Sequence, residues 1–302
     1  MVTFLGLATA VVLLAGCGAG GSGAPSGLSP SAPGGGGEAQ LPTVAKDEAL
    51  ARMVPADVAA DGKIMVGTDA SYPPNEFTAS DAKTIIGMDV DMARAVGQKL
   101  GLPTEYENSQ FDGILPGIQA GKYEMGISSF TVNSDRVKSV DMITYFTAGT
   151  KLATLKGNPD GITLDNLCGR NVGVQKGTTQ VEDLQERSKK CTDAGKPAIN
   201  FTELQQQTDV TLALTAKRVS AMLADGPIVA YAISTTKDEL EQVGDQYATA
   251  PYGIAIAKGK GDFGKAIQAA VQALISDGTY AAILKKWNVS DGAIPTSQLM
   301  TG

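Results

Sequence analysis

The sequence predicts an α/β protein of two lobes, each with a mostly parallel β-sheet flanked by helices. Two features of the 302-residue chain indicate this class. From about residue 62 onward, short apolar runs rich in β-branched residues alternate with longer segments of helical periodicity. In addition, polar residues cluster where several predicted strands end, which is where open α/β sheets bind their ligands.

The first part of this pattern is a regular alternation of strand and helix. The helix predicted over 85–102 has Met88 and Met92 on one face, and Gly101 is well placed as its C-cap. Pro116 either lies in the first turn of the next helix or kinks it. The predicted elements here are strands over 63–69, 104–110 and 123–130 and helices over 85–102 and 111–122.

A second unit of the same kind begins near residue 149. Its strands are again short and apolar, and helical patterns follow them directly, so a second parallel sheet is expected. A long helical pattern closes the chain. The predicted strands cover 150–157, 170–177, 198–204, 221–226 and 252–259, and the predicted helices cover 163–169, 178–191, 207–220, 227–236 and 263–288.

The composition excludes several classes of protein. Apolar residues make up 43% of the chain and charged residues 19%, as in globular proteins. Histidine is absent, which excludes Ser-His-Asp and Cys-His catalysis and most zinc sites, and we expect no metal or cofactor. The net charge is −7 and no long basic run occurs, so we expect no nucleic-acid partner.

The N-terminus has the features of an export signal followed by a tether. Residues 1–17, MVTFLGLATAVVLLAGC, contain an apolar run too short to span a bilayer comfortably. The final LAGC resembles the bacterial lipobox, which implies lipidation of Cys17; the alternative is a buried N-terminal strand. The Gly/Ser/Pro-rich tract at 18–40 cannot form a packed core, and we predict a flexible tether over 18–60.

The other two cysteines, Cys168 and Cys191, form an even pair in a chain with an export signal. A disulfide between them is the natural interpretation for an oxidising compartment. It would close a loop of moderate length and contribute about 3 kcal/mol in the chain-entropy description of disulfides. Two free buried thiols are the alternative.

One stretch, MGISSFTVNSDR at 125–136, passes from a buried strand to hydroxyl groups and an arginine. Its polar residues include Ser128, Ser129, Thr131 and Arg136. Asn133 or Ser134 would cap a further helix, and Arg136 falls in its first turn, where the helix dipole disfavours a cation. An anion gripped by the arginine fork would remove that conflict. The alternative is a surface arginine paired with Asp135 or Asp141.

Polar residues also follow three other predicted strands. Gly177 allows close approach of the backbone, and the free N–H groups of the helix after it attract anions. Asp225 precedes Pro227 and could face a ligand ammonium. Plainer roles as turn or cap residues are open for each of them. The candidates are Asp69 and Tyr72 in the first loop, Thr178 and Thr179 in the second, and Asp225 in the third.

A near-match to the phosphate-binding loop, GKGDFGKA at 259–266, is better explained as a plain turn. Its glycines and Lys265 are in register, but Ala266 stands where the motif needs a magnesium-binding Ser or Thr. We therefore expect a strand-to-helix turn with Asp262 as the helix cap.

Four blocks, in this order, resemble the extracellular solute-binding proteins (family 3) of polar amino-acid ABC transporters, such as lysine/arginine/ornithine-, histidine- and glutamine-binding proteins. The blocks are VGTDASYPP, FDGILPGIQAGKYEMGISSFTVNSDR, GVQKGTTQ and ISDGTYAAILKKW, within roughly residues 60–290. The resemblance implies the type II periplasmic-binding-protein fold with two hinge crossovers, near 148–152 and 249–253. The implied limits are 61–149 plus 252–298 for lobe 1 and 150–251 for lobe 2.

The resemblance also implies a site for a free amino acid between the lobes. Arg136 would bind the α-carboxylate with the N–H of Thr179 and the hydroxyl of Thr131. Asp225 would bind the α-ammonium, so both charges of a buried zwitterion would have partners. Because these partners lie on both lobes, the ligand would favour the closed state. Further implied contacts are Tyr72 and Phe111 around the side chain, Asp69 near its tip, Ser128 and Ser129 as additional hydrogen-bonding groups, and Gln175 and Thr178 on lobe 2.

The implied function is capture of a free amino acid and its delivery to an ABC permease. A basic amino acid or glutamine is favoured, although Asn75 stands where an aromatic residue is common in the family. We expect a non-catalytic monomer, lipid-anchored at the extracellular face of the cytoplasmic membrane or located in the periplasm. The alternatives are a cyclohexadienyl-dehydratase-like lyase, with Glu76 as candidate acid, and a ligand-sensing module.

Overall fold

A computed structural model of the chain describes residues 41–302. The predicted signal segment at 1–17, its lipidation site Cys17 and the tract at 18–40 lie outside the described residues, and they stay predictions. Helices and strands alternate along most of the described chain, in the order that the sequence pattern indicates.

The bounds of these elements are as follows. The α-helices are α1 (Glu48–Ala51), α2 (Met88–Leu100), α3 (Phe111–Gln119), α4 (Ser134–Ser139), α5 (Thr179–Asp193), α6 (Gln207–Thr215), α7 (Gly226–Thr235), α8 (Phe263–Ser276) and α9 (Thr279–Lys286). The strands are β1 (Ile64–Thr68), β2 (Ser71–Tyr72), β3 (Glu76–Thr78), β4 (Ile85–Ile86), β5 (Thr104–Asn108), β6 (Met125–Gly126), β7 (Val140–Leu155), β8 (Asn171–Gln175), β9 (Asn200–Leu204), β10 (Ala221–Asp225), β11 (Leu240–Ala257) and β12 (Leu299–Met300). Within residues 41–302, none of the helices combines the length and the apolar character that crossing a membrane requires.

A nine-stranded sheet runs through the described part of the molecule, in the order β5-β1-β6-β11-β7-β10-β8-β9, with β12 paired to β7. The pairs β1–β5, β1–β6, β8–β9 and β8–β10 are parallel. The two long strands β7 and β11 are antiparallel to each other, and their other pairings are antiparallel as well. They therefore join two parallel half-sheets.

Strands β7 and β11 are long because they belong to both halves of the sheet. They have 16 and 18 residues, and their pairing shifts register between Val243 and Gly253. On one side, buried side chains of β1, α2, α3, α8 and α9 form a core, and on the other side those of β8, β10, α5, α6 and α7 form another. The predicted two-lobed α/β fold with two crossing strands is thereby confirmed, and the residue limits of the lobes stay predictions.

Residues 41–58 pack against the first lobe, although the predicted tether was expected to extend to residue 60. Asp47 caps α1 by accepting hydrogen bonds from the N–H groups of Ala49 and Leu50, at 2.8 and 3.2 Å. Apolar residues around this short helix pack against the core, although they are too scattered to form a periodic pattern. They are Leu41, Val44, Leu50, Met53, Val54 and Val58.

Two helical predictions differ from the structure. Residues 163–169 form turns, because the side chains of Asn158 and Asn166 bond main-chain atoms of the same loop at 2.8 Å each. Such bonds compete with those of a helix. The pattern at 263–288 divides into α8 and α9 at Gly278, whose φ of 85° lies in the region that favours glycine.

Cys168 and Cys191 are joined by a disulfide, as the sequence predicts. Their Cα atoms lie 5.6 Å apart, and the bond ties the loop before β8 to the last turns of α5. Cys191 is buried in the core beside Leu184 and Ile199. The disulfide therefore stabilises the packing of α5, whose opposite end lies at the candidate site.

Candidate functional site

A small cleft between the lobes gathers most of the predicted binding residues. It lies where β1, β6, β8 and β10 end. Asp69 is the one predicted binding residue that does not line the cleft. Gln180 lines the cleft but was not predicted. The lining residues are Tyr72, Phe111, Ser128, Ser129, Thr131, Arg136, Gln175, Thr178, Thr179, Gln180 and Asp225.

Arg136 extends into the cleft without a carboxylate partner in the described part of the chain. Its guanidinium donates to the main-chain oxygens of Thr131 (2.9 Å) and Gly177 (3.2 Å). It also lies 5.4 Å from the ring centre of Phe111 and 5.7 Å from that of Phe130. Burial lowers the pKa of Arg136, but an arginine stays protonated in proteins, so the cleft contains a positive charge.

The acidic residues that could pair with Arg136 on the surface are engaged elsewhere. Asp135 forms a salt bridge with Lys138 at 2.7 Å, and Asp141 forms one with Lys258 at 3.1 Å. The interpretation of Arg136 as a paired surface residue is therefore wrong. A guanidinium has five N–H donors, so several remain for an anion after the two bonds to main-chain oxygens.

The N-terminus of α5 faces Arg136 across the cleft, since Arg136 bonds the oxygen of the preceding Gly177. Thr178 occupies the N-cap position, but its hydroxyl donates to the main-chain oxygen of Gln175 at 2.7 Å and makes no cap bond. The first N–H groups of the helix, beginning at Thr179, have no intrahelical partner. A helix N-terminus opposite a guanidinium suits a carboxylate.

Asp225 is the buried acid of the cleft, with 5% of its surface exposed. It occupies the N-cap position of α7, yet its side chain makes no cap bond. Instead, its carboxylate accepts hydrogen bonds from the hydroxyls of Tyr72 (2.9 Å) and Tyr252 (2.6 Å) and from Nε2 of Gln180 (2.7 Å). Burial raises the pKa of Asp225, and these donors partly offset that rise. The carboxylate faces the cleft rather than the helix.

Asp69 lies behind Gln175, which lines the cleft, and the two side chains are hydrogen-bonded to each other. Asp69 accepts hydrogen bonds from the N–H of Phe111 (2.9 Å) and from Nε2 of Gln175 (3.0 Å), and burial raises its pKa. Nε2 of Gln175 also donates to the main-chain oxygen of Gln205 (3.1 Å). Oε1 of Gln175 is buried and has no hydrogen-bond partner in residues 41–302. A donor on a ligand would satisfy this atom.

The hydroxyl groups of Ser128 and Ser129 are directed toward the buried carboxyl groups of Glu76 and Asp89. Ser128 donates to Oε1 of Glu76 (2.9 Å), and the hydroxyl of Ser129 lies 3.3 Å from Glu76 and from Asp89. Oγ of Ser128 also accepts from the N–H of Asp69 (3.0 Å). Because a hydroxyl has one proton, these serines can offer a ligand acceptor atoms rather than donors.

Polar contacts also join the two walls of the cleft directly. They connect residues of β2, α3 and the loop after β1 with residues of lobe 2, so the protein's own contacts hold the two walls together. These contacts are Gln175 to Asp69 (3.0 Å), Tyr72 to Asp225 (2.9 Å), the N–H of Gln207 to the hydroxyl of Ser71 (3.1 Å), and the salt bridge of Lys176 with Asp112 (2.9 Å).

Four polar residues of this region were not predicted to bind the ligand. Gln180 directly follows the predicted Thr179, and Tyr252 falls at a predicted crossover, so each had a weak positional signal. Glu76 was predicted only as the candidate acid of a lyase. Asp89 lies within the helical pattern over 85–102, which gave no sign of a role at the site. The contacts of the last two depend on tertiary packing.

The chain belongs to the bacterial extracellular solute-binding proteins, family 3, which it matches over residues 64–290. It is similar to the arginine-binding protein ArgT of Corynebacterium glutamicum, with 34% identity over 243 residues that cover 80% of this chain and 79% of that protein. The resemblance found in the four sequence blocks is thereby confirmed.

Solved structures of amino-acid-binding proteins have the same fold. An ancestral arginine-binding protein bound to arginine matches with a TM-score of 0.69 and 33% identity, over 75% of this chain and 98% of that one. The ancestral amino acid-binding protein AncCDT-1, a precursor of cyclohexadienyl dehydratase, matches with a TM-score of 0.69 and 29% identity, over 76% and 97%. The predicted type II periplasmic-binding-protein fold is thus confirmed.

Proposed function

We propose that this chain binds a free amino acid in the cleft and delivers it to an ABC permease. The observation that carries the proposal is the pair of opposite charges, half-buried Arg136 and buried Asp225, on a cleft between two lobes. A zwitterion needs a partner for each charge once it leaves water. Membership of a solute-binding family supports the same function.

Each end of the amino acid has its own partners in this proposal. The α-carboxylate binds the guanidinium of Arg136, the N–H of Thr179 and the hydroxyl of Thr131. The α-ammonium binds Asp225 and takes over part of the hydrogen bonding that Gln180 provides, at 2.7 Å. Because these groups come from both lobes, the ligand favours closure. The proposed lobes are 61–149 plus 252–298 and 150–251.

The ligand side chain passes Tyr72 and Phe111 and ends near Asp69 and Gln175. This end offers a carboxylate and the unsatisfied Oε1 of Gln175, so it suits a side chain that donates hydrogen bonds. A basic amino acid or glutamine meets that requirement. The arginine-binding names of similar proteins favour the basic class.

Binding without catalysis is the function we propose. The lyase alternative has support from the likeness to AncCDT-1, a precursor of cyclohexadienyl dehydratase. However, Glu76, its candidate acid, is fully buried behind Ser128 and does not line the cleft. Turnover of prephenate by the purified chain would contradict our proposal. Loss of a signalling response with unchanged uptake on gene deletion would favour a sensing module.

We further propose that the mature chain is a monomer anchored through lipidated Cys17 at the extracellular face of the membrane. The LAGC ending of the signal segment supports this location. Cys17→Ala should release the protein from the membrane fraction while amino-acid binding persists. Retention of the variant in that fraction would contradict the anchor, and sedimentation would measure the oligomeric state.

A thermal-shift panel of the twenty amino acids tests the function and identifies the ligand class. We expect arginine, lysine or glutamine to raise the melting temperature, and at a fixed concentration the tighter ligand should give the larger shift. Absence of any shift, combined with absence of binding by calorimetry at millimolar concentration, would contradict the proposal.

Charge-removing variants then test the site. Arg136→Ala and Asp225→Ala should each abolish binding in calorimetry, because each leaves one charge of the zwitterion without a partner. Lys138→Ala and Asp209→Ala, which remove exposed charges, serve as matched controls. Micromolar affinity in both site variants would refute the assignment of Arg136 and Asp225.

A further inference from the structure

Two carboxyl groups, those of Glu76 and Asp89, lie buried next to each other beneath the cleft wall. Both residues are 0% exposed, and neither forms a salt bridge with any residue in the described part of the chain. Two adjacent carboxylates without a counter-cation cannot both stay ionised in such a place. A proton bound between them is the simplest way to reduce the charge.

The surrounding hydrogen bonds indicate which of the two carboxyl groups is ionised. Oδ2 of Asp89 accepts from the N–H of Ser129 (2.7 Å) and from the hydroxyl of Tyr145 (2.7 Å), whereas its Oδ1 is buried with no donor among the described residues. The hydroxyl of Ser129 lies 3.3 Å from Oε2 of Glu76 and 3.3 Å from Oδ2 of Asp89, so the two carboxyl groups are neighbours. A proton held between the two carboxyl groups leaves one negative charge on the pair, and the hydrogen bonds from Ser129 and Tyr145 favour Asp89 as the ionised member.

A second proton has no comparable place. It would neutralise Asp89, whose Oδ2 accepts from the N–H of Ser129 and the hydroxyl of Tyr145, and it would weaken or displace these hydrogen bonds. Ser129 lines the cleft and has a positive φ of 52°, so its conformation depends on such support. Tyr145 belongs to β7, one of the two strands that cross between the lobes.

The groups around the pair are acids and phenols. Asp69 faces it from the loop after β1, and Tyr72 from β2. Tyr145 faces it from β7. On α2 itself, Asp91 is neutralised by Lys286 and Arg94, at 2.7 and 2.8 Å, and these cations do not reach the pair. Burial raises the pKa of Asp89 to about 6, and burial beside Asp89 also raises the pKa of Glu76 well above its usual value.

We propose that Glu76 and Asp89 form a buried proton-binding site that couples amino-acid binding to pH. Glu76 holds one proton at neutral pH, and Asp89 carries the charge that supports Ser129 and Tyr145. In mild acid a second proton binds Asp89, the wall at Ser129 loses a hydrogen bond, and affinity falls. Conversely, the amino acid expels this second proton when it binds. This inference rests on the proposed amino-acid binding.

The first test uses the unmodified protein with L-arginine or, if the panel favours it, L-glutamine. Neither has a group that titrates between pH 5 and 7.5. Calorimetry in two buffers of different ionisation enthalpy should show that Kd rises about tenfold from pH 7.5 to pH 5, with about one proton released per ligand at pH 5. Constant Kd over this range would overturn the inference and leave the proposed function standing.

Isosteric variants identify the groups. Glu76→Gln imitates the protonated acid and should bind within about threefold of the unmodified protein, with its pH dependence intact. Asp89→Asn imitates the doubly protonated pair and should bind about tenfold more weakly at pH 7.5, without further loss at pH 5. Asp69 also responds to burial, so a pH dependence that persists in Asp89→Asn would overturn the assignment. An equal loss in Glu76→Gln would do the same.

A measurement without ligand keeps the inference testable if no amino acid binds. The folded protein raises the pKa of Asp89 above its unfolded value, so its contribution favours the folded state at low pH and is lost as the pH rises through about 6. The melting temperature of the unmodified protein, relative to Asp89→Asn, should therefore decrease between pH 4.5 and 7. A constant difference would contradict a proton site at Asp89, whatever the fate of the proposed function.

Discussion

The two charged residues of the cleft, Arg136 and Asp225, are supported in different ways. Arg136 bonds two main-chain oxygens and packs against two aromatic rings. Asp225 accepts from the side chains of Tyr72, Tyr252 and Gln180. The guanidinium therefore has donors left for a ligand, whereas much of the accepting capacity of the carboxylate is already used.

This difference indicates how the binding free energy is divided. An α-carboxylate adds hydrogen bonds at Arg136 without replacing others. An α-ammonium at Asp225 must exchange with groups that already donate there, so its net gain is smaller. We therefore expect the arginine end of the cleft to dominate affinity, and the aspartate end to set specificity for the charged ammonium.

Among conservative substitutions, the largest effect should come from Arg136→Lys, which keeps the charge but removes the planar fork. Lysine cannot bond a carboxylate and the oxygens of Thr131 and Gly177 in the same geometry. We expect affinity for the amino acid to fall about 100-fold in calorimetry. Lys138→Arg on the same helix is the control. A loss of less than threefold would show that the fork is not used.

A smaller effect is expected from Asp225→Asn, because the amide oxygen still accepts hydrogen bonds. Affinity should fall about tenfold to 30-fold.

The same substitution should stabilise the free protein. Its free energy of unfolding, measured by denaturant titration, should increase by on the order of 1 kcal/mol, because the change removes a buried charge that has no salt bridge among the described residues. The pKa of Asp225 is raised by burial, so this gain should be larger at pH 7 than at pH 4.

If Asp225→Asn instead destabilised the free protein at pH 7, the view that its charge is costly in the free cleft would be incorrect. Equal losses of affinity in Arg136→Lys and Asp225→Asn would likewise remove the asymmetry between the two ends. Both readouts use the same purified variants.

Tyr252→Phe should have a modest effect on binding. It removes one of three donors to Asp225 and leaves those of Tyr72 and Gln180 in place. We expect affinity to change about threefold at most, because the ammonium can replace the lost donor. Tyr106→Phe, which removes a hydroxyl bonded to the main-chain oxygen of Val90, is the control. A tenfold loss would assign Tyr252 a direct role in the site.

The smallest effect on affinity is expected when both cysteines of the disulfide are replaced by serine. Cys168 and Cys191 do not line the cleft, so Kd should stay within about twofold. The free energy of unfolding should decrease by about 3 kcal/mol, measured by denaturant titration. Loss of binding under conditions where the variant remains folded would show that α5 transmits changes from the disulfide to Thr179.

Much of the architecture followed from local patterns in the sequence. Strand and helix periodicity predicted the order of elements, and the sequence blocks around Arg136 and Thr179 predicted which residues meet at the cleft. The errors lie where side chains bond the main chain, as at Asn158 and Asn166, or where short apolar segments pack without periodicity, as around α1. Such effects depend on contacts that a periodic pattern does not contain.

By itself, the sequence determined the α/β class, the disulfide and the charged residues of the site, because these depend on periodicity, residue type and short blocks. The tertiary structure decided the state of those charges. Among residues 41–302, Arg136 has no acidic partner, and Glu76 is buried next to Asp89. Asp225 accepts hydrogen bonds from Tyr252 and Gln180, which are 27 and 45 residues away in the sequence. Desolvation and hydrogen bonding set a charge's energy, and both depend on neighbours that the fold brings together.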